Sequence, residues 1–171
     1  IGLVVLDQVV IQPLLAEMNI YAPAINMAGR QRMLSQKLAK AALGLAHESE
    51  QGTQQARRAE LRDTLAAWEF AHRALRDGDS DHNIPKIHTS EIRAAWTSLE
   101  PHFQPMRQVA KKLALPPDTS PPERSLSATI LTHEAAYLQS MDGIVTSMEK
   151  EAASAVARLR AYAAAIAIGI I

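Results

Sequence analysis

Apolar residues recur every three or four positions along most of the chain, which is the spacing of buried positions on helices. The proline-rich run at 115–124, LPPDTSPPER, interrupts this spacing and cannot be helical. The predicted helices extend from the N-terminal end to about His47, over about 54–76, over about 90–115, and from Ser125 or Ser127 to the C-terminal end. The pattern therefore predicts an all-α protein, an antiparallel up-down four-helix bundle with long first and last helices.

Prolines fall inside two of the predicted helices, where each ring removes a backbone donor and clashes with the preceding turn. Pro13 and Pro23 predict a kink or a break in the first helix. Pro101 and Pro105 predict a kinked third helix or two abutting pieces. The apolar stripe of the third helix continues across both prolines, so both halves should face one core. Its members are Ile92, Trp96, Leu99, Phe103, Met106, Ala110 and Leu113.

The other helices carry similar stripes, and Thr89 or Ser90 is a suitable N-cap for the third helix. The stripe of the second helix contains Leu61, Leu65, Trp68, His72 and Leu75, which makes His72 most simply a satisfied core histidine. The fourth helix follows heptad spacing typical of a long bundle helix. Its positions are Leu131, Glu134, Leu138, Met141, Val145, Met148, Ala152, Ala155, Leu159, Tyr162 and Ile166. Glu134 either pairs with Arg30 or Arg32, or lies at the frayed distal end of the bundle.

The first helix carries two stripes that require burial. One is an ordinary core stripe, formed by Met27, Leu34, Leu38, Ala41 and Leu45. The other has the four–three spacing of a face that packs against a partner helix, and its small residues would let that partner approach closely. Its members are Tyr21, Ile25, Ala28, Arg32, Ser35, Ala39 and Ala42. Within this second stripe, only Arg32 is charged.

Arg32 has two interpretations. It is a surface arginine whose stem covers apolar neighbours, or it faces the same residue of a second copy across a two-fold axis. In the second case, two guanidinium groups about 6 Å apart repel by roughly 3 kcal/mol at an effective dielectric constant of about 20. A small anion between them is attracted by about 4 kcal/mol to each group at about 4 Å. Because guanidinium matches a planar oxyanion with two parallel hydrogen bonds, this interpretation predicts an anion sensor.

Residues 26–37, NMAGRQRMLSQK, resemble the signature of the PilJ-type sensory domain. This domain occurs in type IV pili chemoreceptors and some sensor histidine kinases, and it is similar to the periplasmic domain of nitrate/nitrite sensor kinases. The core of the motif is N-x-A-G-x-x-R-M with a following Gln, and residues 138–152 resemble the family's last helix. The resemblance implies a helical, membrane-proximal bundle that dimerises and holds nitrate or nitrite between two first helices. The residue that matches the family's ligand-binding arginine is Arg32.

Composition narrows the possible functions. The chain of 171 residues suits one domain, 1–171, and 18 basic residues balance 18 acidic ones, so nothing favours nucleic acid as a partner. The absence of cysteine excludes disulfides, thiol catalysis and cysteine metal sites. The six histidines show no ligand spacing, residues 77–83 read as a solvated turn, and no phosphate loop or catalytic motif occurs. We therefore expect no enzyme activity, no cofactor and no metal site.

Both chain ends are apolar. Residues 1–6 and 163–171 are shorter than the roughly 20 residues that a spanning helix needs. We interpret them as stubs of flanking transmembrane helices, the alternative being two buried core ends. Stubs at both ends place both termini at one membrane, so the chain would be the periplasmic portion of an inner-membrane protein.

Two function classes follow from these features. The first is the extracytoplasmic sensor domain of a histidine kinase or chemoreceptor, which binds a small anion, with nitrate as the expected ligand, at a homodimer interface. In this class, Arg32 supplies charge and hydrogen bonds, Gly29 lets the backbone approach the ligand, and Asn26 and Gln36 orient or solvate it. The second class is a ligand-free dimerisation or partner-docking module that relays a signal from another protein.

Overall fold

The computed structural model describes residues 8, 12–47, 50–87, 89–116 and 123–169. These residues form four helices, which confirms the prediction of an all-α four-helix bundle. The helices are α1 (Gln12–His47), α2 (Gln51–Asp77), α3 (Ser90–Leu113) and α4 (Glu123–Gly169). Between α2 and α3, the backbones of Asp79 and Ile84 exchange two hydrogen bonds of 2.8 Å, and this bridge closes an exposed turn.

The predicted membrane stub at 1–6 lies outside the described residues, whereas residues 163–169 form the last turns of α4. In the part of the chain that the structure describes, every helix is too short or too polar to cross a membrane.

Each helix packs against two neighbours. α4 lies between α1 and α3, and α2 contacts the same two helices from the other side. α1 and α3 are diagonal across the bundle and touch only slightly. Neighbours in sequence are therefore neighbours in space, which is the arrangement of an up-down bundle.

Most members of both stripes of α1 are buried inside the monomer, whereas Arg32 is exposed and Tyr21, Ile25 and Met27 are half-buried. The core stripe is at most 5% exposed at Leu34, Leu38, Ala41 and Leu45. The small residues of the second stripe are equally buried, namely Ala28, Ser35, Ala39 and Ala42. Ser127 of α4 donates a hydrogen bond from Oγ to the backbone oxygen of Ala42 over 2.8 Å. The partner helix that these small residues admit is therefore α4 of the same chain, which corrects the expectation that they face a second copy.

The prolines inside helices do not interrupt them. α1 continues through Pro23 and α3 continues through Pro101 and Pro105, so α1 is not broken and α3 is not two pieces. Pro101 is exposed, so water can satisfy the backbone carbonyl whose hydrogen bond its ring removes. Thr89 caps α3 as predicted, because its Oγ1 accepts a hydrogen bond from the backbone N–H of Ile92 over 3.2 Å. All members of the predicted α3 stripe are buried.

The predicted stripe of α4 is buried only in its middle part. Leu131 is 40% exposed and Tyr162 is 65% exposed, which makes these two assignments wrong. One side of the predicted stripe stays in the core at Met141, Met148 and Ala155. The other buried residues, Ile130, Tyr137 and Ile144, each lie one position before a predicted member, namely Leu131, Leu138 and Val145. Both series keep a seven-residue spacing, so the buried face of α4 is rotated from the predicted stripe by a constant offset.

A closed set of three hydrogen bonds joins three helices at the centre of the core. Gln31 of α1 donates from Nε2 to the backbone oxygen of Trp68 in α2 over 2.8 Å. Trp68 donates from Nε1 to the hydroxyl of Tyr137 in α4 over 2.9 Å, and that hydroxyl donates to Oε1 of Gln31 over 2.8 Å. Burial raises the pKa of the Tyr137 hydroxyl, so the group stays protonated. Because all three residues are fully buried, water cannot replace a lost partner.

His72 is a core residue, as its place on the α2 stripe predicted. Its ring stacks on Phe103 of α3 with ring centroids 3.6 Å apart, and its Nε2 lies 3.0 Å from a carboxylate oxygen of Glu100. Burial lowers the pKa of His72 to about 4, and the Glu100 carboxylate offsets this effect only in part. The ring is therefore neutral at pH 7 and donates from Nε2 to Glu100. Its Nδ1 has no partner among the described residues, so the ring is not fully satisfied.

Replacing Tyr137 by Phe should lower the free energy of unfolding by about 1–3 kcal/mol, because Trp68 Nε1 and Gln31 Oε1 would each lose a buried partner. Urea unfolding followed by circular dichroism measures the change. Tyr162→Phe is the control, since an exposed hydroxyl should matter by less than about 0.5 kcal/mol. Equal losses in the two variants would contradict a special role for the buried set.

The stability of the protein should fall by about 2 kcal/mol between pH 7 and pH 5 because of His72. The folded pKa lies below the unfolded one, so the contribution is complete above about pH 6.5 and is lost as the pH falls towards 4. Urea unfolding at the two pH values should show this loss in the wild type and not in His72→Phe, which keeps an aromatic ring against Phe103. Parallel pH dependences in the two proteins would refute the assignment.

Candidate functional site

The four predicted site residues are all exposed on α1. Gly29, Arg32 and Gln36 follow one another at intervals of one helical turn, so they share a face. Asn26 lies one turn before Gly29 and also lines a groove of about 970 Å³ between α1 and the turn that connects α2 to α3. The four residues thus follow one another along α1 at intervals of one turn, with Asn26 at the end that borders the groove.

The face that carries Gly29, Arg32 and Gln36 is open. A Cβ added at Gly29 would meet no atom within 4 Å outside its own helical surroundings. Met33, on the next turn, is 55% exposed, although methionine is usually a core residue. There is therefore space for a ligand or for another helix directly against the α1 backbone.

Arg32 forms an ion pair with Asp142 of α4. Nε of the guanidinium lies 2.9 Å from Oδ1 of the carboxylate, and about half of each side chain is exposed. Neither arginine of the motif pairs with Glu134 among the described contacts. Glu134 is instead half-buried, and burial raises the pKa of its carboxyl group. The contact between the motif and α4 is therefore made by a carboxylate that the sequence did not single out.

The ion pair leaves part of the Arg32 guanidinium available. A guanidinium has five N–H donors, and Asp142 takes the one on Nε. The remaining donors have no partner in the described part of the chain, so two parallel N–H groups can still meet an oxyanion. An exposed pair of this kind contributes only about 0–1 kcal/mol to stability. A ligand can therefore compete with it or rearrange it easily.

The residue beside Arg32 points the opposite way. Gln31 is fully buried and belongs to the hydrogen-bonded set with Trp68 and Tyr137. Sequence reasoning missed this residue, although its position three after Ala28 and four before Ser35 continues the buried four–three spacing. One turn of α1 thus carries both the exposed cation and the polar centre of the core.

Across the described ranges, no three side chains of His, Cys, Asp or Glu lie close enough to hold a metal ion. In the turn after α2, Oδ1 of Asp79 accepts hydrogen bonds from the backbone N–H groups of Asp81 and His82 over 3.0 and 3.2 Å. This carboxylate therefore shapes the predicted solvated turn.

A family model described as type IV pili methyl-accepting chemotaxis transducer N-term, PilJ, matches residues 14–129. The chain belongs to the PilJ family. The match covers nearly all of α1, all of α2 and α3, and the start of α4, so it includes the motif around Arg32. Residues 138–152 lie beyond it. Comparison with curated proteins and with solved structures found no significant match to the chain.

Family membership makes this PilJ domain a sensory domain of the kind found in chemotaxis transducers, which are signalling proteins and not enzymes. A sensory domain needs a surface that a signal can reach and a path from that surface to the rest of the receptor. In this PilJ domain, the open face of α1 is accessible, and the Arg32–Asp142 pair connects it to α4.

Proposed function

We propose that this PilJ domain is the extracytoplasmic sensor of a transmembrane receptor and binds a small planar oxyanion, nitrate, at a homodimer interface centred on Arg32. The observation that supports the proposal is the position of Arg32 on the open face of α1, where Asp142 engages Nε and about half of the arginine side chain remains exposed. Gly29 and Gln36 flank Arg32 on the adjacent turns.

Asp142 weakens the attraction for an anion without cancelling it. At an effective dielectric constant of about 20, an anion about 4 Å from the guanidinium gains roughly 4 kcal/mol, and a carboxylate about 7 Å away costs roughly 2 kcal/mol. A single copy therefore keeps a net attraction of only about 2 kcal/mol by this estimate, and two copies keep about twice as much. The anion is consequently held better between two copies than on one.

The same ion pair reduces the repulsion between the two Arg32 side chains in a dimer without ligand. Two bare guanidinium groups would repel each other, but each Arg32 is already paired with a carboxylate. The repulsion between copies is therefore largely neutralised, and the dimer can persist without ligand. Nitrate then acts by changing the geometry of an existing interface more than by creating it.

The Arg32–Asp142 pair also supplies a route for the signal. An anion on the two-fold axis attracts Arg32 away from the bundle. Asp142 then either moves with Arg32 or loses the ion pair. α4 is one continuous helix from Glu123 to Gly169, so a displacement at Asp142 reaches its C-terminal end. The ligand needs only to bind one arrangement of the helices better than the other.

The alternative function is a ligand-free dimerisation or docking module. One observation favours it: Arg32 already has a carboxylate partner within the monomer, so its charge does not require an anion. Titration with nitrate, nitrite and other small anions separates the two functions. No binding heat with any of them would favour the module.

Arg32→Ala should weaken nitrate binding at least about tenfold, because it removes the main attractive charge. Isothermal titration calorimetry measures the affinity, and sedimentation velocity with and without nitrate follows the dimer. Arg30→Ala is the matched control, since Arg30 is also exposed but lies two positions away on another side of α1. Unchanged affinity in Arg32→Ala would remove Arg32 from the site.

Asp142→Asn should strengthen nitrate binding by about 3–30-fold, because it removes a nearby like charge and keeps an oxygen that accepts from Arg32 Nε. Calorimetry at low ionic strength tests this, with Glu149→Gln as the control. Glu149 is an exposed carboxylate one heptad further along α4. Weaker binding in Asp142→Asn would show that the carboxylate acts mainly by holding the guanidinium in place.

A further inference from the structure

Two histidines that are far apart in the sequence meet at the contact between α3 and α4. His102 of α3 and His133 of α4 lie with their Nδ1 atoms 3.3 Å apart and their ring centroids 5.5 Å apart. Both side chains are half-buried. The histidines show no ligand spacing in the sequence, and only the packing of the two helices creates this pair.

The separation of the two nitrogens matches a tetrahedral metal site. Zinc binds imidazole nitrogen at about 2.0–2.1 Å, so two such ligands at a tetrahedral angle lie about 3.3–3.4 Å apart. A square-planar ion with adjacent ligands would need them about 2.8–3.0 Å apart at similar bond lengths. The observed 3.3 Å therefore favours a tetrahedral ion such as Zn²⁺.

We propose that His102 and His133 form a two-ligand site for Zn²⁺ or a similar tetrahedral divalent ion. Without metal, one imidazole donates its Nδ1 proton to the Nδ1 of the other, which accounts for the short contact. On binding, both Nδ1 atoms coordinate the ion. The ring that held a proton on Nδ1 carries it on Nε2 instead, and no proton is lost.

The site is open and exchangeable. In the described part of the chain, no group of three potential His, Cys, Asp or Glu ligands forms. Water therefore completes the coordination, as the half-exposed position of the rings permits. Sites that keep water positions differ from the closed four-ligand sites that hold structural zinc. Such an ion would fasten α3 to α4 when it is abundant and leave when it is scarce.

Thermal unfolding of the chain, prepared without a histidine tag, tests the proposal. Zn²⁺ at about 100 times its dissociation constant should raise Tm by about 5–10 °C. The rise should disappear in His102→Ala and in His133→Ala. It should persist in His47→Ala, where an exposed histidine at the end of α1 is removed. No rise in the wild type, or an equal rise in His102→Ala, would overturn the proposal.

A second variant and a second probe separate metal binding from a merely structural role. His102→Gln keeps an amide that can donate to His133, so its Tm without metal should stay near that of the wild type while its zinc response is lost. Co²⁺ should give the intense visible absorption of tetrahedral cobalt in the wild type and lose it on addition of Zn²⁺. The weak spectrum of octahedral cobalt, or a zinc response retained in His102→Gln, would refute the site.

Discussion

The burial of α1 on two sides is the constraint on which the rest of the structure depends. Its large apolar residues face the core and its small residues admit α4 at close range. The remaining surface of the helix is exposed, and it carries Asn26, Gly29, Arg30, Arg32, Met33 and Gln36. Any ligand or partner of the motif must approach from this exposed surface, because the other two sides are occupied by the chain itself.

Two adjacent residues of α1, one exposed and one buried, have opposite energetic roles. Arg32 makes an exposed ion pair worth about 0–1 kcal/mol, which a ligand can rearrange at small cost. Gln31 makes buried hydrogen bonds to Trp68 and Tyr137, and each lost partner there costs about 1–3 kcal/mol. The weak ion pair of Arg32 can therefore rearrange when a ligand binds, while the strong buried hydrogen bonds of Gln31 keep α1, α2 and α4 aligned.

The number and approximate bounds of the helices could be predicted from the sequence, because proline-rich stretches mark where helices end. The four–three spacing of apolar residues marks the side of each helix that is buried. The sequence also marked Arg32, since a lone charge on an otherwise small and apolar stripe is conspicuous. It could not assign the partner of that stripe, because α4 of the same chain and α1 of a second copy satisfy the same spacing. Leu131 was misplaced because the spacing alone does not distinguish it from its apolar neighbour Ile130, which is the buried one, whereas Tyr162 continues the seven-residue series of Met141, Met148 and Ala155 and is exposed.

The spacing of residues along one helix could not predict which side chains meet between two helices. The pairing of Arg32 with Asp142 and of His102 with His133 depends on the axial register of two helices, and a register is set by packing of the whole core. The polar contacts of α4 with other helices, within the described residues, are made by Ser127, His133, Tyr137 and Asp142.

Beyond Asp142, the described core contacts of α4 are apolar, at residues such as Met148 and Ala155. Hydrogen bonds fix a register because they are directional, whereas apolar contacts are not directional and tolerate small slides. The described directional contacts of α4 therefore lie in its N-terminal half, and they are the contacts that set its register against α1, α2 and α3. Asp142 is the last of them along the chain, so the ion pair with Arg32 is the directional contact nearest to the C-terminal part of α4.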